Sequence, residues 1–255
     1  MRPEQKITMA LTAKDAKRPG LIAYLTGGYP DERRFREHFL KTAAACDLVE
    51  VGIPFSDPMA DGLTIQNASQ VALNNGATLE KILRWLAELT PKIETPVVLM
   101  SYLNPLLAYG YERLAEDAVK SGVSGFIVPD LPVEEAAPLV DALAESGLAL
   151  IQLVTPLTPP ERLTLLCEQS RGFVYAVTHA GTTGGDEALP ADCVDYLGKV
   201  REQSSLPVYA GFGVKNADDV AMLAGYVDGV VVGSALIDAL SDGEDPGEFL
   251  NGLRR

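Results

Sequence analysis

Eight short apolar runs, each followed by an amphipathic stretch, leave this chain few folds to adopt. The runs occupy residues 21–25, 48–51, 96–100, 125–128, 148–154, 172–177, 207–210 and 227–232. They are near-continuously apolar rather than apolar at every second position, which is the pattern of strands covered on both faces and calls for a parallel sheet with helices packed on it. The intervening stretches carry helix signals. Ala136, Leu139, Val140 and Leu143 recur at helical spacing, and Thr158-Pro-Pro-Glu161 reads as a capping box with proline at the first helical position. Asn216 opens another helix, whose inner face would hold Val220, Leu223 and Ala224. Gly122, Gly147, Gly172 and Gly225 fall where helices should hand over to strands. Eight βα units in 255 residues close into a single (β/α)8 TIM barrel, one domain over residues 1–255, with an open doubly wound sheet as the competing architecture. An extra N-terminal helix is expected within residues 3–17, and a short helix after the eighth strand.

The second run breaks the apolar rule. Leu48-Val-Glu-Val-Gly52 carries a carboxylate in its middle, and an ionised Glu in an apolar interior is costly unless something compensates it. If Val49 and Val51 meet the helix layer, Leu48 and Glu50 point into the barrel, and catalytic groups of this fold sit at the C-terminal ends of strands. The loop that follows, Ile53-Pro-Phe-Ser-Asp-Pro-Met-Ala-Asp-Gly62, delivers Asp61 to the same end. Taken singly, Glu50 also fits a structural ion pair and Asp61-Gly62 an ordinary turn.

Two other regions point to a ligand. The stretch from Thr178 to Pro190 is long for a βα connection and rich in Gly and Thr, which suits a lid closing over a bound molecule. Ala210-Gly-Phe-Gly213 and Gly233-Ser-Ala-Leu236 end the last two strands, where barrels bind phosphate on backbone N–H groups. Gly213, Gly233 and Ser234 are therefore expected to hold a phosphate.

A formal charge of −14 argues against nucleic acid and anionic membrane surfaces as partners. With no signal-like start and no apolar run of spanning length, a cytoplasmic location is expected. Cys46, Cys167 and Cys193 lack metal-ligand spacing and read as buried reduced thiols, with no metal site.

The string from Glu50 to Gly62, continued by Thr64-Ile-Gln66, closely resembles the signature of the tryptophan synthase α subunit family. Leu21-Ile-Ala-Tyr-Leu-Thr-Gly-Gly-Tyr-Pro30, Met100-Ser-Tyr-Leu-Asn-Pro105 and Pro129-Asp-Leu-Pro132 are similar to its first, third and fourth strand ends. The resemblance implies retro-aldol cleavage of indole-3-glycerol phosphate to indole and glyceraldehyde 3-phosphate, with Glu50 as general acid/base and Asp61 on the indole N–H. It implies Tyr24 and Tyr102 as indole-pocket walls, Thr183 as the lid contact and Gly184 at the phosphate. It also implies an α2β2 complex with a β subunit that carries pyridoxal phosphate, no cofactor being needed in this chain. Pro54, Phe55 and Asp57, expected exposed at the barrel mouth, are the interface candidates. The sequence departs from the family pattern at His179, in Gly181-Thr-Thr-Gly184, and at Leu63, where proline is common. Two alternatives stay open: a related phosphate-binding barrel, such as indole-glycerol-phosphate synthase or phosphoribosylanthranilate isomerase, and a subunit acting chiefly as a partner's activator. The first leaves the Pro-Phe-Ser-Asp-Pro loop unexplained, and none of the eight runs holds the lysine a synthase would use.

Overall fold

The computed structural model describes residues 1–12, 19–178, 193–211 and 213–254. Eight parallel strands close into a barrel in chain order, β1 pairing with both β2 and β8. They are β1 (Gly20–Thr26), β2 (Leu48–Gly52), β3 (Val97–Met100), β4 (Val123–Ile127), β5 (Ala149–Val154), β6 (Val174–Val177), β7 (Val208–Gly211) and β8 (Gly229–Val232). The open sheet is thereby excluded. Each strand lies on a predicted apolar run, with β4 beginning two residues early because Gly122, at φ +72°, makes the turn just before it. Gly147 and Gly172 also take positive φ, whereas Gly225 does not.

The helices are α1 (Pro3–Thr12), α2 (Glu32–Ala45), α3 (Leu63–Asn74), α4 (Leu79–Leu89), α5 (Leu103–Tyr109) and α6 (Tyr111–Lys120). Past the fourth strand come α7 (Ala137–Glu145), α8 (Pro160–Gln169), α9 (Cys193–Gln203), α10 (Ala217–Leu223), α11 (Ser234–Ser241) and α12 (Pro246–Gly252). Among the described residues no helix is long and apolar enough to cross a membrane.

Strand parity divides the core in two. Ile22, Leu48, Val98, Ile127, Ile151, Tyr175, Tyr209 and Val231 fill the barrel interior. Their neighbours Ala23, Val49, Val51, Leu99 and Phe126 pack outward under the helices. The extra N-terminal helix has a clear purpose: Ile7 and Leu11 of α1 join the interior cluster and seal the barrel's N-terminal end. All three cysteines are buried and free.

Three local expectations are corrected. Thr158 does not cap α8; Pro159 stands at the N-cap with no side-chain bond, while the Thr158 hydroxyl accepts from the Thr155 N–H at 2.9 Å and shapes the loop. Asn216 does cap α10, in a reciprocal box with Asp219. Val140 and Ala224 face solvent, so the buried stripes are Ala136, Leu139 and Leu143 on one side and Val220 and Leu223 on the other.

Candidate active site

Glu50 lies in the barrel interior because β2 alternates. Leu48 and Glu50 face inward, while Val49 and Val51 face out, and Glu50 pairs in register with Tyr24 of β1 and Val98 of β3. Only 1% of its surface is exposed, and its Oε2 has no hydrogen-bond partner. Burial, reinforced by the nearby Asp61 charge, pushes this carboxyl up to about 8. Among the described residues no cation pairs with it, which speaks against a structural ion pair.

Asp61 closes the β2–α3 loop and is 8% exposed. Its N–H donates to the Pro58 carbonyl at 3.2 Å, its own carbonyl accepts from Gln66 Nε2 at 2.7 Å, and its Oδ2 accepts from the Tyr102 hydroxyl at 3.2 Å. The same hydroxyl accepts from the Ala60 N–H at 2.9 Å, so Tyr102 ties two consecutive loop residues to the end of β3. Burial pushes Asp61 up to about 6, while the Tyr102 bond pulls the other way. Two carboxyls of the same intrinsic type are thus held at different ionisation ranges by different surroundings.

Glu50 and Asp61 line one cleft together with Tyr24, Gly213, Gly233 and Ser234. Six of the sequence-predicted residues are therefore brought together. Gly213 takes φ +87°, a conformation open to glycine at little cost. Gly233 is the N-cap of α11, and Ser234 is its first residue, so a helix N-terminus opens on this cleft. Tyr102 is not among the lining residues; it acts on Asp61 from behind. Thr183 and Gly184 lie outside the described residues, as does His179.

The interface candidates divide. Pro54 is buried and Phe55 is half-buried, its ring stacked on Tyr102 at 5.3 Å between centroids, so the expected exposed aromatic is instead packed into the support of Asp61. Apolar area that can find a cover inside the chain does so first. Asp57 is exposed, and the most exposed apolar side chains of this loop and the next helix are Met59 and Leu63.

The cleft also contains Tyr175, which sequence reasoning missed. Inward parity on β6 was the available signal. Tyr24 and Tyr175 reach across to neighbouring strands, and glycine makes room for both. A Cβ on Gly52 would sit 2.1 Å from the Tyr24 hydroxyl, and one on Gly211 would sit 2.4 Å from that of Tyr175. Both hydroxyls are held protonated, first by burial and then by the Asp61 and Glu50 charges. Their rings wall the two carboxyls off from water.

Comparison with known proteins agrees with this geometry. The family model for the tryptophan synthase alpha chain matches residues 10–250. The tryptophan synthase alpha chain of Dehalococcoides mccartyi is 45% identical over 87% of both chains, and that of Deinococcus radiodurans is 41% identical over 100% of this chain and 96% of its own. Among solved structures, tryptophan synthase of Mycobacterium tuberculosis superposes with a TM-score of 0.88 at 35% identity, covering 100% of this chain and 99% of that one. A chain of the tryptophan synthase α2β2 complex of Pyrococcus furiosus gives 0.86 at 37% identity, covering 93% and 98%. Matched over most or all of its length by family model, relatives and fold alike, this chain belongs to the tryptophan synthase alpha chain family.

Proposed function

We propose that Glu50 and Asp61 carry, in this chain, the reaction of its family: retro-aldol cleavage of indole-3-glycerol phosphate to indole and glyceraldehyde 3-phosphate, a carbon–carbon lyase step of tryptophan biosynthesis. The observation that supports it best is the pair itself, two buried carboxyls on one cleft at the C-terminal mouth of the barrel, pushed up to about 8 and about 6.

The chemistry asks for such a division. Indole C3 must gain a proton so that the ring can accept the electrons of the breaking carbon–carbon bond. The glycerol hydroxyl on the neighbouring carbon must lose one as it becomes the aldehyde. A single group held protonated at neutral pH does both: Glu50 gives its proton to C3, and its carboxylate then takes the hydroxyl proton, which restores the starting state. Asp61, ionised under the same conditions, accepts a hydrogen bond from the indole N–H, where positive charge develops. The sequence redistributes one proton with no net oxidation, so this chain needs no cofactor of its own.

Tyr24 and Tyr175 enclose the reacting carbon in an apolar wall, which magnifies the Asp61 field at the ring. Gly213, Gly233 and Ser234 hold the phosphate through backbone N–H groups at the start of α11. The phosphate supplies binding energy remote from the reacting bond and keeps the glycerol chain in register. A β subunit carrying pyridoxal phosphate is the partner, taking up the released indole.

An assay of indole release tests the assignment. Glu50→Gln should lower turnover by about 10²-fold or more, and Asp61→Asn should be severely impaired. For kcat/KM, the rising limb should follow ionisation of Asp61 near 6 and the falling limb deprotonation of Glu50 near 8, as apparent values of the pair. Full activity in Glu50→Gln would remove it from the reaction.

A further inference from the structure

The proposed role of Asp61 raises the question of what holds a loop carboxylate steady at the mouth of the barrel. Among the described residues its carboxylate is held by Tyr102 at 3.2 Å, a long bond for a charged acceptor. On the backbone side the hold depends on α3. The N-cap of that helix is Gly62, with no side-chain cap, and its first residue is Leu63, exposed and without proline's restraint on φ.

Gln66 adds a side-chain restraint on the Asp61 carbonyl. It lies one turn into α3, where its N–H makes the first intrahelical bond, to the Gly62 carbonyl at 2.9 Å. Its side chain turns back past the N-terminus, and Nε2 donates to the Asp61 carbonyl at 2.7 Å, a shorter contact than the Tyr102 bond. The two groups grip one residue at its two ends: Gln66 fixes the peptide and Tyr102 fixes the carboxylate.

We propose that Gln66 is a positioning residue of the lyase site, aiming the Asp61 carboxylate at the indole nitrogen by clamping its carbonyl to α3. The inference rests on the reading of Asp61 given above. Gln66 does not line the cleft, so its influence on the substrate passes through Asp61. When the clamp is lost, the Asp61 carbonyl is no longer tied to the α3 side chain, the remaining N–H bond to Pro58 at 3.2 Å does not fix that carbonyl, and the carboxylate shifts relative to Tyr102 and the ring. The titratable groups around Asp61 are Glu50 on β2, Tyr24 on β1, Tyr102 ahead of α5 and Tyr175 on β6. Of these, Tyr102 favours the ionised form through its hydrogen bond, so a slackened loop should ionise at higher pH.

The test compares Gln66→Leu, Tyr102→Phe and the double variant in the indole-release assay, with Asp61→Asn as reference. Gln66→Leu should lower kcat by about tenfold, the order of effect of a small displacement of a reacting group, with little change in KM. The rising limb of its pH profile should move upward. The double variant should be little worse than the more impaired of the two single ones, because both act on the same carboxylate. Gln66→Glu, equal in length but without the donor, should behave likewise and serves where Gln66→Leu folds poorly. A helix-stabilising role alone predicts a lower Tm with kcat and the rising limb unchanged, and that result would overturn the proposal. Should Asp61→Asn prove fully active, the reading of Asp61 fails and the clamp fails with it. Should Asp61→Asn be impaired while both Gln66 variants behave as wild type, the clamp alone is wrong.

Discussion

At the scale of single residues, Glu50 sets function against stability. Its carboxyl is buried, its Oε2 has no hydrogen-bond partner among the described residues, and burial pushes it up to about 8, far above an unfolded glutamate. Below about pH 4.3 both states are protonated and there is no penalty. As pH rises, the unfolded chain ionises first, so the folded state loses stability up to the folded pKa and levels off above it. Replacing the acid by an isosteric neutral amide should remove that loss. Glu50→Gln is expected to be more stable than wild type at pH 8.5, by about 3–5 kcal/mol on linkage alone, with little gain at pH 4.5. Urea unfolding at the two pH values measures this, and an equal difference at both would show that Glu50 is not held protonated. The position of this acid was legible because a charge in a short apolar strand conflicts with burial, and strand parity says which way it points. Tyr102 was expected, from the resemblance, as a wall of the indole pocket, whereas the structure shows its hydroxyl on Asp61 and leaves it out of the cleft lining. Which atom a tyrosine hydroxyl meets depends on how a loop folds back, and no local pattern encodes that.

At the scale of elements, the strands were read well and the helix starts unevenly. Continuous apolar runs have one stable environment, between a barrel interior and a helix layer, so the eight strands could be placed to within a few residues. A cap depends on one hydroxyl finding one N–H. Thr158 had a nearer partner in Thr155, and Asn216 did not. The N-terminal ends of two strands carry a further device that composition conceals. Asp47, just before β2, donates its N–H to the Leu21 carbonyl at 2.8 Å and accepts the Leu21 N–H on Oδ2 at 2.7 Å. Asp228, before β8, makes the same reciprocal pair with Val208, both bonds at 2.9 Å. Each aspartate also meets an arginine, Arg254 for Asp47 and Arg201 for Asp228. These side chains fasten adjacent strands at the end of the barrel away from the chemistry. Asp47→Ala should therefore destabilise the fold by about 1–3 kcal/mol by leaving the Leu21 N–H without its acceptor, while kcat stays near wild type. Asp47→Asn keeps an acceptor oxygen and should lose less. Equal stability of Asp47→Ala and wild type in urea would reduce the device to a surface ion pair.

At the scale of the whole molecule, the two ends of the barrel do different work. The N-terminal end is sealed by α1, while the C-terminal end carries the cleft. Met59, Leu63 and Leu157 are each at least 75% exposed and lie on connections that leave the C-terminal ends of strands. Single exposed apolar residues are ordinary, but three on the active face of a chain with charge −14 suit a protein interface better than a nucleic acid or a lipid surface. The product strengthens the argument. Indole is apolar and escapes readily, so a partner docked on this face would receive it without passage through solvent. Phe55 links such a surface to the chemistry. It stacks on Tyr102, whose hydroxyl holds Asp61, so pressure on the loop around Asp57 is transmitted to the acid through one ring contact and one hydrogen bond. Adding a cognate β subunit should then raise the rate of cleavage. Asp57→Ala should weaken that increase more than it weakens cleavage by this chain alone, since Asp57 is exposed and outside the cleft. Sedimentation with and without β subunit, paired with indole release, separates binding from activation. If neither a complex nor a rate change appears on titration, the exposed apolar face has some other purpose and the chain works as a stand-alone lyase. If a complex forms and Asp57→Ala loses activation without losing binding, the path through Phe55 and Tyr102 is the coupling route, and Tyr102→Phe should lose activation in the same way.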